Sequence, residues 1–240
     1  MLARRPVERL AIRTEGGEDP FVASHESYES SEDTISLPRA VRFPVELVPP
    51  PGFDPERVET WPQVAGRLEW VEGRLLFMPP CGDLQQHTVA DIVISLGGWV
   101  RAHPEFTLGT NEAGMRLGDA TRAADAAIWR RTALGDPRWG LQRVPPVLAV
   151  EVGGQDEPEG MLREKAQWYL RAGVAVAWLV LPEERAVVVL TPKGESRHGA
   201  GERIPAHPAL PGLTPLVDEF FLHVDGGENP RRSGEERFRA

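Results

Sequence analysis

The chain has 240 residues, 41% hydrophobic and 26% charged, the balance of a folded domain with some ornament rather than of a disordered polymer. Its formal net charge of -9 argues against non-specific coating of nucleic acid, which depends on neutralising phosphates, while leaving room for a local basic cleft. The single cysteine, Cys81, excludes an intramolecular disulfide framework and a cysteine-rich zinc site. No apolar run approaches the roughly 20 residues that span a bilayer. The N-terminal arginines lead into no apolar signal core, so a cytoplasmic protein with no membrane association is expected.

Residues 1–45 read as an acidic, poorly ordered extension. Glu26-Ser27-Tyr28-Glu29-Ser30-Ser31-Glu32-Asp33 has little apolar surface to bury. The alternative reading is an acidic mimic that covers a basic cleft. One domain is expected over 46–225, followed by a flexible, Gly/Arg/Glu-rich tail over 226–240.

Within the domain, Arg67–Val71 and Arg74–Met78 flank Glu72-Gly73 and predict a hairpin. Asp83 to about Ala102 repeats apolar residues at helical spacing (Leu84, Val89, Ile92, Val93, Leu96, Val100). Strands follow at Arg116-Leu117, Arg122–Trp129 and Pro146–Val152. Glu159–Ala172 predicts a helix stopped by Gly173. A second hairpin joins Val174–Leu181 to Ala186–Thr191. Strands and helices alternate without a regular βα repeat, which predicts an α/β (α+β) fold with a mixed sheet.

Three residues stand out chemically. Asp125 is the sole charge in Ala123–Trp129, and Glu151 the sole charge in Val147–Val152. Carboxylates isolated on apolar strands are costly unless paired or metal-bound. The third is Lys165, one of only two lysines among 27 basic residues. Lysine supplies a compact ammonium that arginine cannot imitate. Lys165 falls on the flank of a helix stripe formed by Leu162, Ala166, Tyr169 and Gly173, where it either snorkels outward or points at a buried anion. Spacing alone leaves two readings open. The acids are either structural partners of Arg116, Arg122 and Lys165, or ligands of one magnesium or manganese ion, which prefers oxygen donors. In the second case Lys165 orients the nucleophile or neutralises a scissile phosphate.

The stretches 67–75, 124–128 and 145–152 resemble, in order and spacing, the Uma-type putative restriction endonucleases, a branch of the PD-(D/E)XK nuclease superfamily. So do 164–180 and Leu210-Pro211-Gly212. The resemblance covers roughly residues 55–222. It implies a restriction-endonuclease-like core, with a mixed central β-sheet flanked by helices. It implies metal ligation by Asp125 and Glu151 (Mg2+ or Mn2+) and catalytic roles for Asp125, Glu151 and Lys165, with Glu69 as a supporting acid. DNA is the implied substrate, and two strands to cut make a homodimer a further expectation. In this branch the lysine sits on the helix rather than on the glutamate's strand, and Gly153 holds the place of an E-x-K lysine. Gln86 or His87 would line the cleft. Ala124 and Gly153-Gly154 depart from the family's usual residues, the latter predicting a looser loop after Glu151. No G-x-S-x-G elbow, Walker loop or zinc-spaced histidine set competes with this reading.

Overall fold

The computed structural model describes residues 43–135, 140–154 and 157–225. The expected N-terminal extension, up to residue 42, and the tail from 226 lie outside the described residues. The boundary expected at 45/46 falls inside the first strand, β1 (Val45–Leu47).

The predicted hairpin forms from β2 (Arg67–Val71) and β3 (Arg74–Met78). Its two-residue turn places Glu72 at φ 52 and Gly73 at φ 78, the pair of positive φ values that matches the twist of the flanking strands. Helix α1 (Asp83–Ala102) follows, then the long antiparallel pair β4 (Phe106–Leu117) and β5 (Ala120–Arg130). β6 (Leu148–Val152) leads through helix α2 (Glu159–Arg171) to β7 (Val176–Leu181). β8 (Ala186–Thr191) and β9 (Gly194–His198) complete the sheet.

The strand order is β1-β3-β2-β5-β6-β7-β8-β9, with β4 on the other edge of β5. The β6–β7 pair is parallel and the other pairings are antiparallel. A parallel pair needs a crossover, and α2 provides it. β6 and β7 are buried throughout, which is why they read as unbroken apolar runs.

α1 and a C-terminal 3-10 turn (Val217–Phe221) cover one sheet face, packing Ile92, Leu96, Phe220 and Phe221 onto Ile128, Val150, Trp178 and Val189. α2 covers the other, with Leu162 and Ala166 against Ala177 and Leu179. The helix ends where glycine was expected to end it. Gly173 adopts φ 98, and the Val174 N–H returns to the Tyr169 carbonyl at 3.0 Å.

One feature of the sheet positions the site. A single edge of β5 is shared: Thr121 pairs with Trp70 of β2, and residues 126–128 pair with β6. Asp125 therefore stands in a fork between two strands that diverge from a common neighbour. Continuing the Ala126↔Val150 register by one step sets Asp125 opposite Glu151.

Candidate active site

β2 carries Arg67, Glu69 and Val71 on its buried face, so the charged side of this strand points inward. β5 contributes Asp125, β6 contributes Glu151, and α2 contributes Lys165 and Tyr169. Every one of these side chains is buried.

Lys165 Nζ donates to Glu151 Oε2 at 2.6 Å and lies 3.3 Å from Glu69 Oε1. The Tyr169 hydroxyl donates to Glu151 Oε1 at 2.5 Å. Arg122 Nη1 donates to Glu69 Oε2 at 3.1 Å, and its guanidinium lies 5.2 Å from the Trp168 ring centre. Asp125 Oδ2 accepts the Val152 N–H at 2.7 Å, while its Oδ1 stands 3.9 Å from Arg67 Nη1. Arg67 also approaches Glu157 Oε1 at 3.5 Å. The four residues expected from sequence, Asp125, Glu151, Lys165 and Glu69, thus share one ion-pair network.

Charge in this network does not balance. Glu69, Asp125, Glu151 and Glu157 supply four carboxylates, and Arg67, Arg122 and Lys165 supply three cations, a surplus of one negative charge (4 − 3 = 1). The protonation equilibria carry the same signature. Burial pushes the Asp125 carboxyl above its ordinary pKa, against the pull of Arg67 and Lys165. Burial likewise raises Glu151, with Asp125 and Glu69 adding to it, and more than offsets Lys165. Burial raises Glu157 as well. Glu69 is the exception: burial acts upward, yet Lys165, Arg67 and Arg122 together hold it below the usual range. Burial alone would lower the Lys165 pKa, but Glu151 and Glu69 reverse this, so it is an ammonium at neutral pH.

Several sequence readings are sharpened or corrected. Lys165 points at a buried anion rather than snorkelling outward. Arg116 is engaged elsewhere, by Glu56 and by Thr121 Oγ1 at 3.0 Å, so it is no partner of either acid. Gln85, not singled out from the sequence, is buried and donates to the Val152 carbonyl at 2.9 Å, whereas Gln86 and His87 are exposed on the helix surface. Gln86 does reach the cleft wall. Gly153 and Gly154, at the start of the loop after Glu151, sit against described neighbours, while residues 155 and 156 of that loop lie outside the described residues. The Gly153 N–H bonds the Val180 carbonyl at 2.9 Å, and a Cβ at Gly154 would come within 2.8 Å of Gln85 Oε1.

Arg67, Glu157 and the hydroxyl of Tyr169 were not anticipated. The signal for Arg67 was its place two residues from Glu69, on one face of a strand. Tyr169 was hidden because one stripe serves both the apolar ring and the polar hydroxyl.

A mixed sheet with helices on both faces, acids on two adjacent strands and a crossover helix delivering lysine belongs to the class of restriction-endonuclease-like nuclease folds. The Uma2 family model, described as a putative restriction endonuclease, matches residues 55–223, and the chain belongs to that family. Among solved structures it is similar to a putative nuclease belonging to DUF820 from Anabaena variabilis ATCC 29413. The two share 16% identity at a TM-score of 0.62, covering 69% of this chain and 96% of that one. No curated protein matches the sequence. No helix among the described residues is long and apolar enough to cross a membrane.

Proposed function

We propose that this chain is a divalent-metal-dependent endonuclease that hydrolyses phosphodiester bonds of DNA, with Asp125 and Glu151 as metal ligands and Lys165 and Glu69 completing the catalytic set. The observation that carries this is the surplus of one negative charge in the network of Glu69, Asp125 and Glu151 once Glu157, half-buried on the loop between β6 and α2, is counted with them. A buried carboxylate without a counter-charge is expensive, and a small dication would reverse the deficit. The donor set suits a hard ion, because the groups on offer are carboxylate oxygens. Among the described residues, no three His, Cys, Asp or Glu side chains form a ready-made cage. Two carboxylates plus substrate oxygens is the usual coordination of magnesium in phosphoryl chemistry. Magnesium or manganese there supplies a Lewis acid for the phosphate oxygens and an acidified water.

The chain's own residues have separable tasks. The Val152 N–H fixes Asp125. Tyr169 and Lys165 fix Glu151 from two sides, and each carboxylate oxygen keeps a second lone pair. As an ammonium, Lys165 stabilises developing phosphate charge or orients water; it is no general base. Glu69 positions the Lys165 ammonium and keeps it charged.

The test is cleavage of plasmid and oligonucleotide DNA in magnesium or manganese. Asp125→Asn should abolish cleavage while preserving the fold. Lys165→Ala is expected to cost about 3–5 kcal/mol of stability too, because it leaves a buried carboxylate short of its partner. Lys165→Arg, which keeps the charge and moves it, is therefore the informative variant, and a loss of at least tenfold in rate is expected.

One observation favours a second reading, a nuclease-fold binding or regulatory protein without catalysis. Both Glu151 oxygens are already bonded within the protein. Calorimetric titration separates the two: absence of magnesium and manganese binding, with no cleavage, selects the second.

A further inference from the structure

Beside Asp125 opens a cleft of about 680 Å³, within the size range of small-ligand sites. Among the described residues the charged ones lining it are Arg67, Asp125 and Glu157, with a single cation between them. Its walls are largely apolar: Met78 at the end of β3, and Val89, Ala90 and Val93 along α1. Gln86 adds one amide, now donating to the Cys81 carbonyl at 2.8 Å. Duplex binding along a backbone needs several cations to neutralise successive phosphates. Among the described residues this lining offers none beyond Arg67. Several exposed arginines elsewhere are occupied by carboxylates, as in Arg74–Glu46, Arg143–Glu56 and Arg197–Glu184.

Arg67 is itself under-used. It is 7% exposed, and its Nε has no hydrogen-bond partner among the described residues. Its contacts to Glu157, Glu69 and Asp125 lie at 3.5, 3.7 and 3.9 Å. A charge-assisted hydrogen bond is shorter, about 2.7–2.9 Å. A guanidinium presents a planar fork that suits phosphate bidentately, and a buried donor left unpaired calls for an explanation.

Building on the nuclease reading, we infer that this cleft receives one unpaired nucleotide of a DNA strand, its phosphate on Arg67 and its base against the apolar wall of α1, so that the substrate is single-stranded or locally unpaired DNA. The apolar wall takes the face of an unstacked base, which is sequence-tolerant because every base has one. A base inside a paired stack cannot enter. The exposed amide of Gln86 stands where it can meet a base edge.

The experiment measures binding by fluorescence anisotropy, with the full chain in calcium buffer to hold back turnover. The probes are a single-stranded oligonucleotide, the same sequence fully paired, and that duplex carrying one unpaired nucleotide. Single-stranded and bulged DNA should bind at least tenfold more tightly than the paired duplex. Ala90→Trp fills the cleft from an exposed helix position. It should remove that preference with an unchanged melting temperature, and Arg67→Met should weaken single-strand binding at least tenfold. Equal affinity for paired and unpaired DNA, no measurable single-strand binding, or an Ala90→Trp protein that binds like the parent overturns the inference. The nuclease reading is judged apart from this, by metal-dependent cleavage and its loss in Asp125→Asn. A duplex cutter with no preference would sink the cleft proposal and leave the nuclease standing.

Discussion

Asp125 shows how one side chain can work against the fold that holds it. Its pKa is raised by burial, so the folded state binds its proton more tightly than the unfolded chain does. The sign is therefore that Asp125 favours folding in acid and loses this as pH rises past the ordinary carboxylate range near about 4. Glu151 and Glu157 share that sign, whereas Glu69, held low, contributes above that range and loses its contribution on acidification. Asp125→Asn keeps an acceptor for the Val152 N–H and removes one of the four negative charges. We expect it to raise the melting temperature by a few degrees at about pH 8, and by less at about pH 5. Thermal scans across pH check this; a lower melting temperature at both values would contradict the surplus-charge account. Part of this residue-level picture was legible, since an acid alone on an apolar strand needs either an ion-pair partner or a metal. Arg67 was not, because a period-two pattern assigns charged positions to solvent unless something marks that face as buried.

The elements differ in how plainly the sequence declared them. β6 and β7 announce themselves as apolar runs, and α2 by its stripe and its glycine stop. β4 did not: Gly109 and Gly114 break the strand pattern, and only its last two residues were expected. Gly109 is required by a close approach, since a Cβ there would meet the Trp129 ring at 2.7 Å. β9 is polar and exposed as an edge strand, so hydrophobic periodicity cannot find it. β2 depends on the residue before it. Gly66 adopts φ 154, and a Cβ there would lie 2.3 Å from the Met78 carbonyl oxygen. Gly66→Ala must therefore displace the backbone that aims Arg67 and Glu69. We expect a loss of at least about 2 kcal/mol in urea unfolding, large for a single methyl group. A change under about 0.5 kcal/mol, the range of neutral surface substitutions, would show that the strand tolerates the shift.

At the scale of the molecule, the family match over residues 55–223 takes in every described strand except β1, which pairs with β3 from outside it. We propose that residues 43–225 form the folding unit. Expressed alone, that segment should unfold in one cooperative transition, with circular dichroism and fluorescence midpoints that coincide. Two separated transitions would argue against a single unit.

The shared edge of β5 has a consequence for when the protein can act. Arg67 and Glu69 arrive on an N-terminal hairpin, Glu151 and Lys165 on a C-terminal strand-helix unit, and Asp125 lies between. The residues to be joined are separated by up to about a hundred positions, and such distant contacts close late. A chain with either half unformed holds no complete set of charges. On the proposed reading, cleavage is thus a property of the finished sheet, and its onset during refolding would report that the last long-range pairing has closed.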